Sequence, residues 1–169
     1  MTAMSRDEIK KLLTKVDKFK TENKLDLSLG EDLSIGIMNL ISIEEHLFFT
    51  SQKTGKSEYL GLLNEVRSMR ASLLKEIITD YEGEVWCISK HLLAASMRLM
   101  EVGTKELKKG DKKKAWEFFE KAYKLYSLFW GINLGIVKTD KVMVESTGTV
   151  SQMSKLGTLV KKAIDCCRE

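Results

Sequence analysis

Proline is absent from the 169-residue chain, and cysteine and histidine are scarce, with three and two residues. Because proline ends or kinks helices, its absence is typical of a chain made of long helices. The cysteines are Cys87 and the adjacent pair Cys166 and Cys167, an odd number without the spacing of a disulfide framework. The sequence therefore predicts reduced thiols and a fold held by apolar packing.

Long apolar runs are also missing. No window reaches the roughly 18 consecutive apolar residues of a membrane helix. The longest apolar region, residues 127–137, is interrupted by Gly131, Asn133 and Gly135. The first residues lead into a charged helix and do not have the pattern of a signal peptide. We therefore expect a cytoplasmic protein that does not associate with membranes.

Motifs for nucleotide binding and for hydrolysis are absent as well. There is no Gly-x-x-x-x-Gly-Lys-Ser/Thr loop, no Gly-x-Gly-x-x-Gly after a strand and no serine elbow. The vicinal pair Cys166 and Cys167 has no cluster of further ligands around it, so ordinary thiols are expected there. These absences favour a non-catalytic role.

The residues that are present indicate helices. Hydrophobic residues make up 43% of the chain and charged residues 31%, which is typical of one soluble domain with a substantial core. Apolar residues recur at three- and four-residue steps. We predict an all-α antiparallel bundle of about five long helices, an N-terminal helix followed by two helical hairpins. Residues 1–134 would form the bundle, and residues 135–169 a linker and a C-terminal helical tail.

Helix starts and faces can be assigned in the first half of the chain. Ser5 with Glu8 and Ser28 with Glu31 have the spacing of capping boxes. The helix after Ser28 is apolar nearly all round and is therefore expected at the centre of the bundle. The next helix, residues 58–79, carries one predicted buried stripe: Tyr59, Leu62, Val66, Met69, Leu73 and Ile77.

The clearest hairpin spans residues 86–134. Gly110 is placed to end its first helix in the left-handed conformation, and Asp111 to cap the second. The predicted apolar stripe of the first arm consists of Val85, Ile88, Leu92, Ala95, Leu99 and Val102. That of the second arm consists of Ala115, Phe118, Ala122, Leu125, Phe129 and Ile132. Facing stripes of this kind predict a tight antiparallel pair.

Apolar, small and aromatic residues occur at a characteristic spacing in this hairpin. The residues are Leu99, Val102, Gly103, Gly110, Ala115, Phe119 and Ala122. Their spacing resembles that of a single tetratricopeptide repeat over residues 99–122, although Glu106 stands where a large apolar residue is usual. The resemblance implies a helical hairpin and an interaction role.

Two adjacent carboxylates, Glu44 and Glu45, lie in the most apolar predicted helix. The stripes of that helix place both in or beside the core, where a carboxylate needs a partner. Arg98 and Glu101 belong to a polar strip on the first arm of the 86–134 hairpin, and Arg98 is the predicted partner of Glu44 or Glu45. The pattern favours a buried ion pair between two helices, beside a histidine whose hydrogen bonds are satisfied.

A metal site is the alternative for the same region. Cys87 and His91 are four residues apart and share a helix face, which suits two ligands to zinc or copper. With Glu44 or Glu45 opposite, the bundle would hold a transition metal such as zinc, copper or iron. The paired Glu-x-x-His elements of di-iron bundles are absent. We therefore predict no cofactor and keep the metal as the alternative.

The turn of the hairpin is rich in lysine. Six lysines stand against only Glu106 and Asp111, an excess of four that equals the formal charge of the whole chain: Lys105, Lys108, Lys109, Lys112, Lys113 and Lys114. Lysines bind phosphates without reading sequence, and Trp116 beside them can stack on a base, so weak nucleic-acid binding is admissible. The alternative is a solvated turn whose charges complement the dipole of the preceding helix.

Together these patterns predict a non-catalytic protein–protein interaction or adaptor module built on a helical bundle. Its partner would be another protein or a second copy in a homo-oligomer. Two alternatives stay open. One is binding of a metal or small ligand near Glu44, Glu45, Cys87 and His91, and the other is a nucleic-acid accessory role for the lysine-rich turn.

Overall fold

The computed structural model describes residues 6–23, 26–78 and 84–137 of the chain. These residues form five α-helices and no strand, so the predicted all-α class is confirmed. The helices are α1 (Arg6–Asn23), α2 (Leu27–Thr54), α3 (Glu58–Lys75), α4 (Glu84–Lys108) and α5 (Lys112–Asn133). The predicted capping box at Ser5 and the predicted C-terminal tail lie outside the described residues.

Helix α2 begins earlier than its sequence pattern predicts. Asp26, not Ser28, is the N-cap, and its Oδ1 accepts hydrogen bonds from the backbone N–H groups of Ser28 at 2.9 Å and Leu29 at 3.3 Å. An aspartate in this position also complements the positive end of the helix dipole. The predicted cap at Ser28 is therefore wrong, since Ser28 lies inside the first turn.

Both hairpin turns contain a glycine in the left-handed conformation, as predicted for Gly110. Gly55 (φ 67°) and Gly110 (φ 87°) adopt the left-handed conformation that is open to glycine at little cost. At the second turn the Gly110 N–H donates to the Leu107 carbonyl and the Asp111 N–H to the Glu106 carbonyl, which satisfies the last carbonyls of α4. The Asp111 carboxylate then accepts from the Lys114 N–H at 2.9 Å and caps α5.

The core lies where the two hairpins meet. Helices α4 and α5 pack together along most of their length, α2 packs against α3, and α2 crosses the α4–α5 hairpin. The largest completely buried side chains, which anchor the core, are Trp130, Phe129, Ile37, Leu74, Ile77, Ile78, Leu93 and Leu134. These residues come from both hairpins, so the core joins the two into one bundle.

Helix α2 crosses its neighbours diagonally. Near its start, Gly30 lies so close to Trp130 of α5 that an added Cβ would stand 3.0 Å from the indole ring. One turn further on, Ser34 and Tyr126 share a hydrogen bond of 2.7 Å between their hydroxyls. Beyond its midpoint α2 contacts α4 through Arg98 instead. The crossing brings the first half of α2 to α5 and the second half to α4.

The buried faces of α4 and α3 are rotated from their predicted positions. On α4, Ala95 and Val102 are exposed, whereas the buried positions are Leu92 and Leu93 together with three small residues: Ser89, Ser96 and Gly103. These small residues allow a close approach to α5, where Ser96 Oγ donates to the Ala122 carbonyl at 2.8 Å. On α3, Leu62 and Met69 are exposed, and the buried side chains are Arg70 and Leu74. The predicted face of α5 is present, with all six residues buried or half-buried.

Helix α2 is not surrounded by the described residues, contrary to the expectation from its nearly continuous apolar sequence. Five of its large apolar side chains are exposed: Leu29, Ile35, Ile43, Phe48 and Phe49. The reason is geometric, since α3 covers one side of α2 while the crossing with α4 and α5 covers only part of another. The prediction of a fully enclosed central helix is therefore wrong, and an apolar surface is left on the outside.

The described chain continues past α5 with a turn at Gly135. Its carbonyl accepts from Lys15 Nζ of α1 at 2.8 Å, and Ile136 and Val137 pack against the core. Within the described residues no helix combines the length and the apolar character that are needed to cross a membrane.

Candidate functional site

The predicted polar strip faces α2 across a cleft. Arg98 donates from Nε to Glu45 Oε2 at 2.7 Å, and its second nitrogen contacts both the same oxygen and Ser42 Oγ. Both charged side chains are well exposed, 50% for Arg98 and 39% for Glu45. The pair therefore joins α2 to α4 at the surface, where water screens its attraction.

This polar cleft has a volume of about 650 Å³. Its lining consists of Ser42, Glu45, His46, Phe49, Lys53, Arg98 and Glu101. The lining contains groups of both signs, and the Arg98 guanidinium is already engaged by Glu45. The cleft thus offers ligands little uncompensated charge.

Glu44 lies on the other side of α2 and contacts α3 instead of the predicted partner Arg98. Arg70 of α3 donates from Nε to Glu44 Oε1 at 2.8 Å and from its terminal nitrogen to Oε2 at 3.3 Å. Only 5% of the Arg70 side chain and 14% of the Glu44 side chain are exposed. One sequence feature indicates that Arg70 is buried. Its spacing places this arginine in a stripe of apolar residues at helical steps: Leu63, Val66, Leu74 and Ile77.

The four candidate metal ligands do not come together as a set. Glu44 contacts Arg70 and Glu45 contacts Arg98, while Cys87 and His91 are exposed on α4. Among the residues that the structure describes, no three histidine, cysteine, aspartate or glutamate side chains are grouped closely enough to hold a metal ion. The metal site stays a prediction without geometric support in this part of the chain.

A second concavity, the apolar groove, lies between α2, α4 and α5 and has a volume of about 350 Å³. It is lined by Ile35, Met38, Ser96, Met100, Phe119, Ala122, Tyr123 and Tyr126. Met100 and Tyr123 are 42% and 41% exposed, although both are large and mainly apolar. The groove lies where α2 leaves α5 beyond its contacts at Gly30 and Ser34 and before it meets α4 at Arg98.

This groove was not among the predicted sites. The sequence feature that corresponds to the groove is an aromatic series: Trp116, Phe119, Tyr123 and Tyr126. Its steps of three and four residues place all four side chains on one side of α5. Such a series is normally assigned to the core. Only the crossing path of α2 shows that no described helix covers this side of α5 at Phe119 and Tyr123.

The lysine-rich turn, residues 105–114, lies at the end of the same hairpin. All six lysines are exposed. Glu106 accepts from Lys109 Nζ at 2.9 Å and lies 3.5 Å from Lys114 Nζ. The hydrogen bond from Lys109, together with the nearby charges of Lys109 and Lys114, lowers the pKa of the Glu106 carboxyl below its ordinary value of 4.5. Glu106 thus holds the turn together and compensates part of its charge.

Comparisons with protein-family models, with curated proteins and with solved structures give no match for this chain.

Proposed function

We propose that the protein is a non-catalytic interaction module and that the apolar groove receives a helix of another protein. The observation that carries this proposal is the groove itself. It is concave and lined by methionine, isoleucine, phenylalanine and tyrosine side chains. Grooves of this kind bind amphipathic helices through apolar side chains at helical spacing.

The exposed apolar residues around the groove support an interaction role. Trp116 is 68% exposed one turn beyond Phe119, and Leu107 of α4 is exposed nearby on the hairpin. Tryptophan, tyrosine and methionine are enriched at protein interfaces because they bury a large area with few rotatable bonds or adapt to irregular surfaces. Exposed large apolar side chains that accompany an apolar groove are therefore consistent with an interaction site.

Site-specific photo-crosslinking in lysate of the native host tests this proposal. A photoreactive phenylalanine analogue at position 123 lies in the groove, and the matched control places it at the exposed position 17 on α1. We expect position 123, and not position 17, to capture a defined protein. The captured protein should bind purified wild-type chain and lose binding to Tyr123→Glu, which changes an exposed side chain. No capture at position 123, or equal capture at both positions, would contradict the proposal.

Metal analysis separates the alternative function from this one. If the bundle holds a metal, protein purified without a histidine tag will contain stoichiometric zinc, copper or iron that disappears on replacing Cys87 or His91. We expect no such metal, because Glu44 and Glu45 already contact arginines.

A further inference from the structure

We propose that the partner of the apolar groove is an acidic amphipathic helix whose acidic residues lie against the lysine-rich turn. This inference rests on the proposed function and adds the chemical class of the partner. Three observations support it: the position of the lysines relative to the groove, the lysines that have no carboxylate of the described chain in range, and the charge of the possible occupants.

The lysine-rich turn and the groove share one face of α5. Lys112, Trp116, Phe119, Tyr123 and Tyr126 follow each other at steps of four, three, four and three residues, so they lie in one row along the helix. This row is about 21 Å long at 1.5 Å per residue. A partner helix of about 14 residues can therefore contact the groove at one end and Lys112 at the other.

Part of the charge at the turn has no compensation. Glu106 contacts Lys109 and Lys114. Within the described chain, no carboxylate lies in salt-bridge range of the other four: Lys105, Lys108, Lys112 and Lys113. Four exposed cations beside an apolar groove favour a ligand that is apolar on one side and acidic at one end.

Charge also discriminates between occupants. The chain's own segment at residues 151–168 has a predicted apolar stripe, but it carries Lys155, Lys161, Lys162 and Arg168 against Asp165 alone. A basic segment in the groove would be repelled by the lysine-rich turn. A second copy of this chain is repelled only where it would bring its own lysine-rich turn against this one, because that turn carries the whole formal excess of +4.

A nucleic acid would satisfy the lysines but not the groove. Phosphates would contact the turn and a base could stack on Trp116. The concave surface between Met38, Met100 and Tyr123, however, accommodates apolar side chains and has almost no hydrogen-bonding groups for base edges. The observations therefore favour an acidic helix over an oligonucleotide.

Fluorescence anisotropy with labelled probes tests the proposal on the full chain. Two synthetic helical peptides of about 14 residues share the same leucine and phenylalanine anchors and differ only in carrying glutamate or lysine at their other positions. The third probe is a peptide of residues 151–168, and the fourth is a single-stranded oligothymidine. At about 150 mM salt, we expect the acidic peptide to bind at least about tenfold more tightly than each of the other three probes.

Charge-reversal variants assign this preference to the turn. Lys112→Glu/Lys113→Glu should weaken binding of the acidic peptide by about tenfold or more. The matched control, Lys10→Glu/Lys11→Glu, makes the same charge change at another exposed lysine pair, on α1, and should alter binding by less than about twofold at this salt. Tyr123→Glu should abolish binding of the acidic peptide. All four substituted lysines and Tyr123 are exposed, and unchanged circular dichroism and melting temperature verify that each variant is folded.

Each contrary result has a distinct meaning. If both designed peptides bind equally and both are lost with Tyr123→Glu, the groove binds helices but the acidic partner is wrong. Tighter binding of the 151–168 peptide overturns the proposal in favour of the chain's own segment. Tighter binding of oligothymidine overturns it in favour of nucleic acid. If no peptide binds, this inference fails, and the crosslinking result at position 123 decides separately whether the proposed function survives.

Discussion

At the scale of single residues, the two arginine–glutamate pairs on α2 differ mainly in their exposure to water. Arg70 and Glu44 are almost completely enclosed, whereas Arg98 and Glu45 are well solvated. Removing one member of a buried pair leaves an uncompensated charge away from water, while removing one member of an exposed pair leaves a charge that water stabilises. The two pairs are therefore expected to contribute very differently to stability.

Arg70→Met should lower the free energy of unfolding by about 3 kcal/mol, because it leaves the Glu44 carboxylate buried without its partner. The double variant Arg70→Met/Glu44→Leu should recover most of this loss. Arg98→Met is the matched control and should cost less than about 1 kcal/mol. Urea unfolding of the four proteins measures these values, and equal losses for the two arginine variants would contradict the assignment.

The lowered pKa of Glu106 predicts how the lysine-rich turn depends on pH. Because the folded-state pKa lies below the unfolded value, the ionised Glu106 stabilises the folded protein above the unfolded pKa. That contribution is lost as pH falls through the lowered folded pKa, below 4.5. The melting temperature of wild type should exceed that of Glu106→Gln at neutral pH, and the difference should shrink as the pH is lowered through this window. A constant difference across the window would show that Glu106 acts through something other than its charge.

At the scale of helices, the α4–α5 hairpin depends on close approach at small residues. A Cβ on Gly103 would stand 2.6 Å from the ring of Phe119, so the two helices pack with essentially no room at this position. Gly36 of α2, by contrast, has open space where a Cβ would be. Both glycines are inside helices, so an alanine would gain the same intrinsic helix propensity at either position.

Gly103→Ala should destabilise the protein by about 1 kcal/mol, because displacing Phe119 costs more than the helix propensity of alanine returns. Gly36→Ala should instead stabilise it by about 0.5–1 kcal/mol. Melting temperatures that move in opposite directions would verify the close approach. A rise for both variants would show that Phe119 relocates freely.

The helices and their turns could be predicted from sequence, whereas their relative rotation could not. The glycine turns and the Asp111 cap depend on local chemistry and were predicted correctly. The α4 stripe was displaced because apolarity alone does not reveal that Ser89, Ser96 and Gly103 face α5. Small residues bury little apolar area, and their role becomes clear only when the partner helix is in place.

The candidate sites show the same limit. The contact of Glu45 with Arg98 follows from charges that the sequence displays, but the pairing of Glu44 with Arg70 required knowledge of the α2–α3 interface. The apolar groove is harder to predict than either ion pair. Its aromatic row is visible in the sequence, yet its exposure follows from the diagonal path of α2, which depends on tertiary contacts at Gly30 and Ser34.

At the scale of the whole molecule, apolar surface is distributed unequally between the two hairpins. The α2–α3 hairpin exposes Ile43, Phe48, Phe49, Leu62 and Met69, while the α4–α5 hairpin contributes the completely buried Phe129 and Trp130. Both hairpins supply anchors of the core, because Ile37 and Leu74 of the first hairpin are completely buried as well. The first hairpin forms one edge of the groove through Ile35 and Met38.

The diagonal crossing of α2 has a consequence for hydrogen exchange. Because α4 and α5 pack more extensively with each other than either packs with α2, the hairpin they form should open only with global unfolding. Helix α3 packs mainly against α2, so its amides should exchange through a smaller, local opening. Exchange measured by mass spectrometry should thus give markedly higher protection for residues 92–106 and 115–130 than for residues 58–72. Uniform protection across both hairpins would mean that the bundle opens as a single unit. The edge of the groove formed by Ile35 and Met38 could then not move independently of the groove residues on α4 and α5.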